Sequence, residues 1–529
     1  MKLIGKSLLM LLGFIMIALS PAKAQFKQLA EGPKFTEPED GFVKIIQLKN
    51  GGTFYTSVFF KDGINTRIYD ANHAEKATNT IAPAAGFSKY EEVEAVFEIH
   101  DHILLFISDF DDHAPTLYRF TIDENTGKLL EETTVAQLNK SGMFASNDEM
   151  RSFNVKKDPF SDNYAICLFN ISVKDKSKRL EIIHYGDDNK EISRSFCFPN
   201  NEDYFMFLDM VVLGREKVCA FFFEGQGTYG FTRKGKITMG TIEKNAVAYH
   251  YASFPADIIL NWGIAKYNPV SKEIIFLTVI PQGKHSEEYA IAANLIDPSS
   301  NKFTALTDLG WNTQLNNAYN ERFDKKNGYA GMPQNIFINN DGSFSIMYEE
   351  MLVSTKGGQY GTRTDTRMGK LVLANYDMKG KLISNYMVPK VHWMLFDRGA
   401  PFYDARKENL AQFLYRGNQY KSFSYINGSS GNFILINDTE RNDQVVKDKF
   451  AEVQGVSDCD LYMYKMEATD IFPKRVNVFG QTTLGTKEHQ IAMVTTSAYD
   501  RKNNIYVTLK LDKESASKKV VKLVWLQPQ

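Results

Sequence analysis

The stretch Val93-Glu94-Ala95-Val96-Phe97-Glu98-Ile99, followed by Ile103-Leu104-Leu105-Phe106-Ile107, decides the fold. It continues with Leu117 to Ile122, the turn Glu124-Asn125-Thr126-Gly127, and Leu129 to Val135. Short apolar or alternating runs bounded by Asx and Gly residues are strands, because a half-buried pleated chain has a period of two. Four such runs in succession describe one small antiparallel sheet.

The pattern recurs along the whole chain. A first unit begins near Gly41, with Val43-Lys44-Ile45-Ile46, the turn Asn50-Gly51-Gly52, Phe54 to Val58, and Arg67-Ile68-Tyr69. Further units span about 150–200, 204–256, 259–310, 331–392 and 420–480, and a last one begins near 487. A four-stranded sheet cannot bury both faces alone, but sheets stacked around an axis each gain a neighbour on either side. Units of about 40–50 residues therefore predict an all-β fold, a β-propeller of about eight, or seven, four-stranded blades. Two or three β-sandwich domains are the rival reading, disfavoured by the absence of a Pro/Gly/Ser-rich linker. The last unit shows only three strands, around Ile491–Val494, Ile505–Leu509 and Val520–Trp525. Residues 26–34 are expected to supply the fourth and hide its edge.

Composition agrees. The 529 residues are 43% hydrophobic and 13% aromatic, led by 38 Phe and 26 Tyr, which favours strands over disorder. A formal net charge of −1 argues against a nucleic-acid partner. Residues 1–24 read as a secretory signal peptide. Lys2 and Lys6 precede the apolar run Leu8 to Leu19, and Ala22-Lys23-Ala24 forms the cleavage site. The expected mature chain, 25–529, is a single propeller domain that is periplasmic or extracellular. It has no apolar run long enough for a transmembrane helix. Cys167, Cys197, Cys219 and Cys459 show no metal or redox spacing; Cys167 and Cys219 read as small hydrophobes of buried strands.

The run Lys370 to Asp377, the turn Met378-Lys379-Gly380-Lys381, Val388-Pro389-Lys390 and the run Gly431 to Asn442 carry a resemblance. Over about 330–445 the chain resembles a group of uncharacterised secreted β-propeller-like proteins of Bacteroidota-type bacteria. The resemblance implies a propeller and an exported address, and no catalytic residues.

Motifs for chemistry are sparse. Gly225-Gln226-Gly227-Thr228-Tyr229-Gly230 matches a dinucleotide pattern, but Phe231 to Thr238 offers no helix N-terminus for a pyrophosphate, so it reads as an inter-strand loop. His100-Asp101-His102 resembles metal ligands but sits where a tight turn should join two strands. No nucleophile elbow, zinc-protease motif or calcium loop occurs. The sequence therefore predicts no catalytic residues, no metal and no cofactor.

Two insertions stand out. Residues 351–369 interrupt two strands and hold Tyr360, Arg363 and Arg367, which can stack on a sugar or grip an anion. Residues 393–419 hold Trp393, Phe396, Phe402 and Tyr403, and Trp262 and Trp311 add possible stacking groups. Tyr360, Arg363, Arg367, Trp262 and Trp393 are the candidate ligand-binding residues, with 351–369 as a recognition loop. The expected function is an exported propeller that binds a ligand or protein without catalysis. Its partner would be an envelope protein or a carbohydrate. The alternative is a secreted glycan-directed hydrolase or lyase whose groups converge from separate blades at the mouth. A third reading is a structural part of an envelope assembly.

Overall fold

Each expected unit folds as one antiparallel sheet in the computed structural model. The structure describes residues 26–529 except 60–62, 84–91, 110–113, 140–151, 171, 199–203, 226–234, 245, 252–261, 283–287, 307–308, 310–312, 359–360, 410, 416, 444, 446, 448, 468–469, 481–488 and 514–518. Eight sheets follow one another along the chain. Their innermost strands are Phe42–Gln47, Glu92–Ile99, Phe153–Lys157, Tyr204–Leu213, Gly263–Asn268, Met332–Ile338, Ser424–Gly428 and Ala492–Asp500, taken here as blades one to eight. Blade two shows how the sequence sets its turns. Asp123 Oδ1 accepts from the backbone N–H of Thr126 at 2.7 Å, and Gly127 takes a φ of +68°. A Cβ there would also lie 2.6 Å from Thr66 Oγ1 of blade one, so only glycine fits.

Closure is visible in the packing. Eight apolar clusters lie between successive blades, from Val58 and Ile103 between one and two to Trp525 and Tyr69 between eight and one. Each blade thus buries both faces, the requirement that predicted the ring. The missing fourth strand of blade eight is Phe26–Glu31, paired antiparallel with Lys519–Pro528 from Phe26↔Pro528 to Glu31↔Val524. All four cysteines are buried and free, and burial pushes the Cys197 and Cys219 thiols up to about 12.

The two ends of the ring differ. At one end the first-to-second and third-to-fourth strand connections are short, such as 100–101, 214–216 and 429–430. The opposite end carries the additions. There stand helix α1 (Thr313–Phe323), which buries Leu315, Tyr319 and Phe323 on one stripe, and helix α2 (Tyr403–Asn409). The strands Phe344–Gly358 and Gly361–Tyr376 of blade six project there too. The segment 351–369, expected as a loop, is this hairpin, in register from Met351↔Met368 to Gly358↔Gly361.

Helix α2 enters the axis of the ring. Asn335 Nδ2 of blade six donates to Asp404 Oδ2 at 3.0 Å and to Glu408 Oε1 at 2.8 Å. Lys44 of blade one donates to the Glu408 carbonyl at 2.8 Å, and Lys266 of blade five pairs with the Glu408 carboxylate. Burial works to raise that carboxyl, but Lys266 and Asn335 more than offset it and hold it below the ordinary glutamate range.

Candidate functional site

The elaborated end also holds a cavity of about 500 Å³ between blades seven and eight. Its wall comes from five parts of the chain: Glu37 and Glu39 before blade one, Gly417 to Lys421 before blade seven, Gln454 to Ser457, His489, and Lys519 with Leu511 of blade eight. The segment Asn418–Tyr420 is a buried helical turn started by Gly417 at φ +80°. Ser422, at φ +69°, then redirects the chain into blade seven. These two bends fix Tyr420 and Lys421 against the cavity.

Tyr420 donates its hydroxyl proton to Glu37 Oε1 at 2.6 Å, and both residues are almost fully buried. Burial, with the Glu37 charge second, pushes the phenol well above its ordinary range, so Tyr420 is a donor and not a base. Lys519 Nζ stands 3.6 Å from Glu37 Oε2 and 3.8 Å from Glu39 Oε1. Lys421 donates to the Trp393 carbonyl at 2.6 Å. Its burial lowers the ammonium to about 8, within reach of a neutral amine near physiological pH.

His489 Nδ1 lies 3.1 Å from Asp460 Oδ2, while Asp460 Oδ1 accepts from the Gln490 N–H at 2.7 Å. The carboxylate takes a proton-bearing Nδ1, which leaves Nε2 as the ring nitrogen that exchanges protons. Glu37 Oε2 and Gln419 Oε1 are buried at this wall without a hydrogen-bond partner among the described residues. Buried oxygens of this kind call for a reason, and a ligand site is one. An oriented imidazole, a lysine of lowered pKa and a tyrosine donor around one cavity form a constellation suited to general acid–base chemistry.

The residues singled out in the sequence lie elsewhere at this end or beyond it. Tyr360 and Trp311 are outside the described residues. Arg363 Nε is 2.7 Å from Asp365 Oδ2, and its guanidinium covers the Phe396 ring at 4.7 Å. Arg367 and Trp393 are brought together, opposite each other where His392–Met394 pairs with the hairpin. Both donate to Glu452, at 2.9 and 2.5 Å. Trp262 packs on the apolar cluster between blades five and six. His100-Asp101-His102 forms the tight turn of blade two, with His100 at φ +50°. Among the described residues no group of three His, Cys, Asp or Glu side chains could hold a metal ion. The Gly225–Gly230 motif lies, after Gly225, outside the described residues. Sequence reasoning missed Glu37, Tyr420, Lys421, Asp460, His489 and Lys519. They are too far apart in the chain for any spacing rule, and only convergence at the mouth joins them.

No protein-family model matches the chain, and no curated protein matches it by sequence. Solved structures of similar fold exist. The polysaccharide lyase Uly1 aligns over 95% of this chain and 100% of its own, at 9% identity and a TM-score of 0.34. A mutant of the α-L-arabinofuranosidase Arb93A from Fusarium graminearum aligns over 72% of this chain and 93% of its own, at 10% identity and a TM-score of 0.32. Prolyl oligopeptidase B from Galerina marginata aligns over 93% of this chain and 55% of its own, at 7% identity and a TM-score of 0.40. These low likenesses concern the fold. All three are enzymes by name and two are glycan-active, which goes against the sequence expectation of a propeller that binds without catalysis; the likeness itself is one of fold. The alternative reading of the sequence, a glycan-directed hydrolase or lyase, is argued below from the cavity alone.

Proposed function

We propose that the chain is an exported glycan-directed enzyme, a hydrolase or lyase, working at the cavity between blades seven and eight. The observation that carries this reading is the meeting of the His489–Asp460 pair, Lys421 and the Tyr420–Glu37 pair at one cavity. Glycan cleavage by either route needs a proton taken at one atom and given at another. His489 Nε2 and the Lys421 amine suit these two tasks, and Tyr420 holds the Glu37 carboxylate in place beside them. The leader-like residues 1–24 support export, since polysaccharides are met outside the cytoplasm.

The test is cleavage of arabinan, xylan, galactan, polygalacturonate and alginate. New reducing ends report either reaction, and ultraviolet absorbance of unsaturated uronates marks a lyase. His489→Ala and Asp460→Asn should each lower turnover by about 100-fold or more while leaving the melting temperature near wild type. Turnover unaffected by both substitutions would move the active site elsewhere. Failure to cleave any of the five would remove the enzymatic reading.

A further inference from the structure

The Glu408 carboxylate occupies a place that the ring itself builds. Side chains from the innermost strands of separate blades converge on it. Asn335 Nδ2 donates to one of its oxygens at 2.8 Å, and Lys266 Nζ pairs with the other. Asn335 is fully buried, and its own Oδ1 accepts from the Ile336 N–H at 2.9 Å, which leaves Nδ2 to face the helix. Lys156 adds positive charge from blade three. Asp209 answers it through both oxygens at 2.7 Å and is itself fixed by the Ala265 N–H at 2.7 Å. Lys266 has no such resident partner. Among the described residues its one carboxylate contact is Glu408, which belongs to the inserted helix.

That helix has little stability of its own. α2 has seven residues, and helices shorter than about 12 residues are marginal in water. It starts from Phe402 at φ +60°, a region that bulky side chains avoid, held there as the Phe402 N–H donates to the Pro333 carbonyl at 2.8 Å. The Glu408 side chain keeps 38% of its surface open although blades one, five and six all touch it. Water reaches the pair, and so can a solute.

We infer that this place on the axis is a binding site for the carboxylate of an acidic sugar, which α2 fills with Glu408 until such a sugar displaces it. The site already holds a carboxylate with one donor for each oxygen, a match that a uronate repeats and a neutral sugar cannot. When α2 withdraws, Asp404 and Glu408 leave with it. Lys156 keeps Asp209, but Lys266 loses its counter-charge, and a largely desolvated ammonium without one is unfavourable. An incoming uronate replaces like with like. The inference rests on the glycan-directed reading for the class of ligand. It adds that the enzyme takes acidic polymers and that its axis opens to them.

Trypsin cleavage after Arg406 reports α2 leaving the axis, and isothermal calorimetry reports binding. Galacturonate or glucuronate should bind the full chain and raise its melting temperature, yet speed cleavage after Arg406. Galactose, acetate and inorganic phosphate should do none of these. Lys266→Met should weaken uronate binding by about tenfold or more, and Lys266→Arg should restore it. Glu408→Gln should tighten it by about tenfold, since the competing charge is gone. Absence of uronate binding, protection of Arg406 by the uronate, or equal binding of any of the three controls would overturn the site. So would unchanged binding in Lys266→Met. Uronate binding without cleavage of any polysaccharide would sink the enzymatic reading and leave the axial site standing. Cleavage of a polysaccharide with no uronate effect on α2 would do the reverse.

Discussion

At the scale of single residues, the mouth and the opposite end set different problems. Tyr420 gives the Glu37 carboxylate its one hydrogen bond among the described residues. Tyr420→Phe leaves a buried carboxylate oxygen unmet and should cost about 1–3 kcal/mol by chemical denaturation. At the short-connection end, Glu98 is 6% exposed, and burial pushes its carboxyl up to about 7, offset in part by the Lys49 N–H at 2.9 Å. The folded state therefore holds a proton that the unfolded chain, near 4.5, has lost. Stability from this group is full below the unfolded value and disappears as pH rises through the folded one. Glu98→Gln should flatten the fall in melting temperature between about pH 5 and about pH 8 and leave the variant above wild type at the upper end. An equal slope in both proteins would refute that assignment. None of this was legible in the sequence, where Glu98 is one polar residue of an alternating strand and His489 belongs to no motif.

At the scale of elements, the strands were readable because each alternates over enough residues to show its period. The hairpin of blade six carried a readable signal as well. Thr362, Thr364 and Thr366 alternate, but the Gly content of the stretch suggested a loop. In the structure Arg367 and Trp393 hold the hairpin base to Glu452. Glu452→Ala should cost about 1 kcal/mol and speed protease cleavage within 351–369. Helix α2 could not be read, since seven residues are too few to show a 3.6 period. Its place depends on charges from blades far away in sequence. Glu408→Ala removes the partner of Lys266 and a partner of Asn335 and should lower the melting temperature by a few degrees. Proteolysis near 400–410 should rise in parallel. Unchanged proteolysis would show that α2 is held by its apolar contacts alone.

At the scale of the whole molecule, the ring was legible because its cause is general. Eight sheets with two apolar faces each leave no exposed face only when closed on themselves. The joint between blades eight and one closes the ring, and the strand Phe26–Glu31 of blade eight leads across it into blade one. Trp525 is fully buried there, its ring centroid 5.1 Å from that of Tyr69, and its indole N–H donates to Thr53 Oγ1 at 2.9 Å. Deleting 25–36 removes the outer strand of blade eight. Light scattering on warming should then begin well below the wild-type melting temperature, as an open edge pairs with other copies. A deletion variant that melts like wild type and stays monomeric would show that the strand is dispensable.

The pairing of Phe26 with Pro528 also gives the molecule a freedom that an open sheet lacks. Neighbouring strands lie about 5 Å apart, so a short peptide bridge can join residues 26 and 528 without moving either. The chain can then be cut anew at a tight turn such as 214–216 or 429–430. Such a circular permutant keeps every blade and every side chain of the mouth while changing which residues are made first on the ribosome. The order of synthesis and the finished ring become separable, and a permutant library would reveal which blade, once formed, templates its neighbours.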